Sequence, residues 1–312
     1  MGGAAWQEAS TIKQIRTLPN GAMLLCLRKV IMDSTHPGSP ALFAKGVGVL
    51  VVGHGTADPV GVAETRAVTE HVARLLPGVP VTLGFLEVCG PTIDEAMDVL
   101  ATAGCRAVIA APLLLFEAGH AKRDIPEAIR EAAAGRGIRV SQAEPLGCHP
   151  AIVALSQRRR AETMANAGVP PDSVALVMVG RGSSDPSAFD QLATFAQATL
   201  TAQPAFRRVE FGFVAAARPS LAEALAAAAD PAGGGVRTVW VQPHLLFRGH
   251  VEEQVAAALD AVRASWPECT WIQVPRLGDD PLVAQALVDR TLEEAQEAGL
   301  KSSRQTPHES SQ

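Results

Sequence analysis

Several features that would place this chain quickly are missing from it. None of its 312 residues falls in a block of five or six like charges, and the longest basic run is Arg158-Arg159-Arg160. With a formal net charge of -5, this excludes a nucleic-acid surface of the usual basic kind. No apolar run approaches the roughly 20 residues that span a bilayer, so no membrane partner is expected. The stretch Ala22-Met23-Leu24-Leu25-Cys26-Leu27 is too short for a signal h-region, and Arg28-Lys29 follows it instead of preceding it. The cysteines (Cys26, Cys89, Cys105, Cys148 and Cys269) are scattered and include no Cys-x-x-Cys pair. That argues against a disulfide framework, a cysteine-held Fe–S cluster or a structural zinc site, and for reduced thiols in a soluble, cytoplasmic protein. There is no Gly-x-Ser-x-Gly elbow for a serine hydrolase and no Gly-Lys-Ser/Thr phosphate loop.

What is present is globular in balance: 47% hydrophobic and 19% charged residues, over a length that accommodates two ordinary domains. The stretch Val49-Leu50-Val51-Val52-Gly53-His54-Gly55-Thr56-Ala57-Asp58-Pro59 organises the rest. Its apolar, mostly β-branched start reads as a buried strand, the glycines as a tight turn, and Asp58-Pro59 as a helix N-cap followed by the first helical residue. His54 is thereby expected at the carboxyl end of a parallel strand, where open α/β sheets place ligands. Downstream, helix is expected from about 60 to 76, strand from 79 to 86, helix from 91 to 103, strand from 106 to 111, helix from 122 to 134 and strand from 138 to 143. Alternation of this kind implies an α/β fold, a parallel sheet with helices on both faces.

The pattern then repeats. Val174 to Pro186 restates the opening stretch with Arg181 where His54 stood, and Phe213 to Ser220 restates Phe85 to Thr92 with Ala215 for Glu87. Gln242 to His250 restates the Pro112 to His120 loop with one residue fewer between the proline and the histidine, and Arg276 to Pro281 restates Pro145 to Pro150. Matched landmarks in one order mark a tandem duplication: modules over 46–165 and 172–297, joined where Gly168-Val169-Pro170-Pro171 breaks the helix. Residues 1–45 read as a poorly ordered extension and 298–312 as a disordered polar tail.

Duplication separates chemistry from architecture. The Gly-x-Gly turn, Asp-Pro and Leu-Gly recur in both halves and explain themselves as turns and caps. His54 and Glu87 occur in one half only. With His120 they fall at or just beyond the ends of successive strands, so the three side chains can converge on one cleft. Two imidazoles and a carboxylate suit a divalent ion of borderline character, such as Co²⁺, Fe²⁺, Ni²⁺ or Zn²⁺, and the same groups accept protons. Each can equally be a satisfied polar residue of a loop. A dinucleotide site is disfavoured because Asp58 stands where the third glycine belongs and an acid there repels a pyrophosphate. Lys122 and Arg123 can meet carboxylates or simply face solvent. His149 reads as a structural loop residue, His244 and His250 as secondary, and Cys89, with no basic neighbour, as inert.

Together these residues resemble a known family. Gly53 to Pro59, Phe85 to Pro91 and Pro112 to Ile125 are similar to the motifs of class II sirohydrochlorin chelatases, and the two-module length resembles the family's long form. The resemblance implies two tandem chelatase-like modules, the first carrying the active site and the second degenerate. It implies ATP-independent insertion of Co²⁺ or Fe²⁺ into sirohydrochlorin in cobalamin or siroheme synthesis, with no cofactor beyond the substrate metal. It assigns metal binding and proton acceptance to His54 and His120, and an assisting carboxylate to Glu87. A macrocycle with eight carboxylates needs a wide cleft with positive charge, for which Lys122, Arg123, Arg181, Arg218 and Arg248 are the candidates. The partners expected are the tetrapyrrole and the metal, with the two modules supplying the cleft within a monomer. The alternatives are a chelatase for another metal or tetrapyrrole, and a carrier that binds without turnover.

Overall fold

The computed structural model describes residues 43–116, 123–201, 203–230 and 236–300. His120 and Lys122, and nearly all of the expected extension and tail, lie outside the described residues.

The first half runs β1 (Val47–Gly53), α1 (Pro59–Leu75), β2 (Val81–Phe85), α2 (Ile93–Thr102), β3 (Ala107–Pro112), α3 (Ile125–Ala133), β4 (Arg139–Gln142) and α4 (Pro150–Ala167). The second half repeats it: β5 (Val174–Gly180), α5 (Ala188–Leu200), β6 (Arg208–Phe213), α6 (Leu221–Ala229), β7 (Thr238–Pro243), α7 (His250–Ser265), β8 (Thr270–Gln273) and α8 (Pro281–Glu297). Each half builds a four-stranded sheet, in the orders β2-β1-β3-β4 and β6-β5-β7-β8, with every pairing parallel. The order reverses between β1 and β3 and between β5 and β7, so the loops after the two strands of each pair leave in opposite directions and open a crevice at the carboxyl edge.

Local chemistry accounts for the elements. Asp58 caps α1, accepting from the backbone N–H groups of Val60 at 2.8 Å and Gly61 at 3.3 Å, with Pro59 as first helical residue. Thr92 and Ser220 open α2 and α6 with reciprocal bonds to Glu95 and Glu223. β1 is buried along its whole length because helices cover both faces of its sheet: Val49 and Val51 pack with Val68 and Val72 of α1, while Leu50 and Val52 pack with Met97 and Leu100 of α2. Each such side chain contributes about 1.5–3 kcal/mol on leaving water.

The halves are not separate cores. α8, the last helix of the second half, packs on β3 and α1 of the first. α4, the last helix of the first half, reaches β7 and α5 of the second, where the Arg160 guanidinium donates to Gln242 Oε1 at 2.8 Å and to the Thr199 carbonyl at 2.7 Å. Burial lowers the Arg160 pKa to about 10. One apolar cluster consequently runs from Val49 and Ile109 of the first sheet, through α8, to Leu176 and Trp240 of the second. Ordered packing also extends past the expected limits at 46 and 297: Phe43 is 4% exposed, and the Ala44 N–H donates to the Leu300 carbonyl at 2.7 Å. Among the described residues, no helix is long and apolar enough to cross a membrane.

Candidate active site

The end of β1 supplies backbone groups to both neighbouring strands. The Leu113 N–H donates to the Val52 carbonyl at 2.9 Å, the Leu86 N–H to Gly53 at 2.9 Å and the Glu87 N–H to His54 at 3.1 Å. The loops after β2 and β3 are thereby pinned beside His54. The turn itself admits only glycine at position 55, which has φ +104°, and a Cβ there would stand 1.9 Å from the Glu87 carbonyl oxygen. Gly182 repeats this in the second half, at φ +85° and 1.8 Å from the Ala215 oxygen. The turn is therefore a device of the fold, and its central side chain is free to differ between halves.

In the first half that side chain is His54, 24% exposed, with Nε2 3.4 Å from Glu87 Oε1 and Nδ1 3.4 Å from the Gly55 carbonyl. At 3.4 Å the imidazole–carboxylate contact is longer than a charge-assisted hydrogen bond. It matches instead the separation of two ligands held about 2.1 Å from a tetrahedral ion, which is about 3.4 Å. The carboxylate of Glu87 is half exposed, open to a ligand from the solvent side. Among the described residues no group of three histidine, cysteine, aspartate or glutamate side chains is gathered for a metal. The structure thus brings together two of the three residues singled out by the sequence.

His54 borders a cavity of about 190 Å³ between the halves. One wall is Leu113, Leu114, Leu115 and Phe116 from the loop after β3; the other includes Arg181, Ser183, Gln191, His244 and Leu245 from the second half. Of the expected cationic residues that are described, only Arg181 lines this cavity, and it makes no ion pair among the described residues. The Ser220 hydroxyl and N–H, and after them Arg218, which donates at 2.8 Å, hold the capping carboxylate of Glu223 down at about 2. The Arg248 guanidinium lies 3.1 Å from Asp58 Oδ2, and its backbone N–H donates to Glu64 at 2.9 Å. Arg123 is exposed and stands away from the cavity lining.

The other histidines separate cleanly. His149 caps α4, Nδ1 accepting from the Ala151 N–H at 3.2 Å, as Asp280 caps α8. Burial lowers its pKa. His250 opens α7 on the surface, 3.5 Å from Glu253. His244 is 4% exposed, packed on the rings of Phe195 and Phe116, and burial lowers its pKa to about 3. Aligning the repeats marks it out from sequence: it takes the place of Leu113, so a polar ring occupies an apolar position.

The CbiX family model matches residues 48–163 and again 175–294, one match for each half. The chain belongs to the CbiX family. It is 35% identical over 214 residues to the sirohydrochlorin ferrochelatase of Priestia megaterium, covering 68% of this chain and 77% of that protein. It is 28% identical over 202 residues to the sirohydrochlorin cobaltochelatase of the same organism, covering 64% of each. Among solved structures, SirB from Bacillus subtilis with Fe³⁺ superposes with a TM-score of 0.70 at 28% identity, covering 82% of this chain and 98% of SirB. Family membership, two modules and an α/β architecture in each half agree with the resemblance drawn from the motifs.

Proposed function

We propose that this CbiX-family protein inserts a divalent metal ion, Co²⁺ or Fe²⁺, into sirohydrochlorin without ATP. The metal is a substrate, and the reaction replaces two pyrrole N–H protons of the macrocycle by one ion. His54 and His120 hold the ion at one face of the ring, and Glu87 or an imidazole accepts the released protons. The observation that carries this reading is the His54–Glu87 pair, set 3.4 Å apart beside the cleft between the halves of a chain from this family. The relatives named for iron and for cobalt are both similar to it, and both ions accept the same donors, so the choice of metal follows supply as much as affinity. Arg181 faces the macrocycle's carboxylates; Arg218 and Arg248 join it only on leaving Glu223 and Asp58, and Arg123 stands exposed just before α3. The protein works as a soluble, cytoplasmic monomer with no resident cofactor.

The test is anaerobic metallation of sirohydrochlorin, followed by its absorption spectrum, with Co²⁺ and Fe²⁺ in turn. His54→Ala should lower kcat by about 100-fold or more, the scale of losing a positioned acid–base or metal-holding group. Wild-type protein that binds the macrocycle yet inserts neither ion would be a carrier, and the proposal would fall.

A further inference from the structure

The repeat sets two equivalent crevices between the halves. In one, α1 faces the loop after β7; in the other, α5 faces the loop after β3. Aligning Val47–Gly53 on Val174–Gly180 makes Asp185 the counterpart of Asp58, Ala188 of Gly61 and Gln191 of Glu64. The crevice beside α1 is filled. A Cβ on Gly61 would stand 2.2 Å from the Arg248 carbonyl oxygen, so the loop lies directly on the helix. The Arg248 guanidinium pairs with Asp58 at 3.1 Å, its N–H donates to Glu64 at 2.9 Å, and the other oxygen of Glu64 meets Arg276. The crevice beside α5 is the cavity of about 190 Å³ that His54 borders, with Ala188 and Gln191 in its wall. Ala188 carries the methyl group that Gly61 omits, and Pro145 stands where Arg276 stands in the repeat.

Charge follows the same division. The Glu64 carboxylate, 13% exposed, has a guanidinium on one oxygen and an N–H on the other. A carboxylate at position 191 would find proline at the place of that guanidinium, and it would border an open cavity. Gln191 is instead neutral and partly exposed, with its amide nitrogen donating to the Ser187 hydroxyl at 2.7 Å. Histidines aside, the charged residues that border the cavity among those described are Arg181 and Asp185, one of each sign. One added negative charge would tip that balance against a polyanion.

We propose that the crevice beside α5 is the one that receives the polycarboxylate macrocycle, and that Gln191, a neutral amide where the repeat has Glu64, is a specificity-determining residue that keeps this wall from repelling it. This rests on the function proposed above. Packing excludes the ligand from the α1 side, and the absence of a charge admits it on the α5 side. His54 then meets the macrocycle from the first half, across the same cavity.

The test is titration of metal-free sirohydrochlorin into the full-length wild-type, Gln191→Glu, Gln191→Met and Glu64→Gln proteins, with metallation kinetics and Tm for each. At about 0.1 M salt Gln191→Glu should bind about 10-fold more weakly, the scale of one like charge about 10 Å away at an effective dielectric of about 20. The deficit should narrow at about 1 M salt, where charges are screened within about 3 Å. KM should rise with the loss of affinity, while kcat at saturating macrocycle stays within about threefold. Gln191→Met loses the bond to Ser187 without adding charge, and Glu64→Gln removes a charge on the filled side; both should bind within about threefold of wild type. Wild-type affinity in Gln191→Glu would overturn the proposal. So would a deficit that salt leaves unchanged or that Gln191→Met shares, which would indicate shape or the Ser187 bond, and so would tighter binding by Glu64→Gln, which would place the ligand beside α1. If wild-type protein metallates sirohydrochlorin and Gln191→Glu matches it, this inference alone fails; wild-type protein that neither binds nor metallates the macrocycle overturns the function as well.

Discussion

Replacing Gly55 by alanine should cost activity through geometry, because the new methyl group has nowhere to go. Its Cβ would lie 1.9 Å from the Glu87 carbonyl oxygen, about 1.5 Å inside ordinary contact, at a φ of +104° that alanine resists. The backbone conformation alone costs on the order of 1–3 kcal/mol, or roughly 2–10 °C in Tm for a chain of this size. Relief of the clash must come from displacement of the Glu87 backbone, since its N–H is bonded to His54 in the same turn. A displacement of about 1 Å at a reacting group is enough for a loss of about 100-fold. Gly182→Ala is the matched control: the same clash, 1.8 Å from an oxygen, but against Ala215, which carries no functional group. Both variants should lose similar Tm, while kcat for metallation should fall about 100-fold in Gly55→Ala and by far less in Gly182→Ala. Equal kcat losses in the two, or a Gly55→Ala enzyme with wild-type kcat, would refute the assignment of Glu87 to the chemistry.

Two further outcomes follow from the packing. Glu64 joins the halves, its Oε1 2.5 Å from Arg276 and its Oε2 accepting from the Arg248 N–H at 2.9 Å; Glu64→Ala should cost about 1–3 kcal/mol in urea unfolding, because it strands two donors. Glu252→Ala should cost less, since Arg276 keeps Glu64, and the reverse order would count against the account. Acid should weaken the fold through His244. Its folded pKa of about 3 lies below the unfolded value, so the unfolded chain binds the extra proton, and stability present above pH 6.5 is lost as pH falls toward about 3. Between pH 7 and 5 that amounts to about 2 kcal/mol. His149 acts in the same direction. Denaturation midpoints at the two pH values should differ less in His244→Leu than in wild type.

Much of this was legible because it is local. The run into β1, the Gly-x-Gly turn and the Asp58-Pro59 cap each state their conformation within a few residues, and duplication shows which side chain the turn does not itself require. His54 and Glu87 could be paired from strand order alone. The exchange of α4 and α8 could not be read this way, since an amphipathic helix specifies that it is covered but not by which sheet. For the same reason Arg248 looked like a free cation in sequence, whereas Asp58, far away along the chain, holds it. His244 was half legible: the repeat shows a ring where leucine would serve, but only the packing shows that it is buried against Phe116 and Phe195.

The turns around His54 and Arg181 have one further consequence. In a pair of identical subunits, any residue selected for one wall of a shared cleft is imposed on the other wall as well. A metal-holding imidazole would then face its own copy, and a guanidinium placed for carboxylates would crowd the ion. Fusing the two copies lifts that constraint while the paired glycines keep both backbones alike. In the function proposed above, the chain therefore carries an imidazole on one side of its substrate and a guanidinium on the other, at the same point of the same turn.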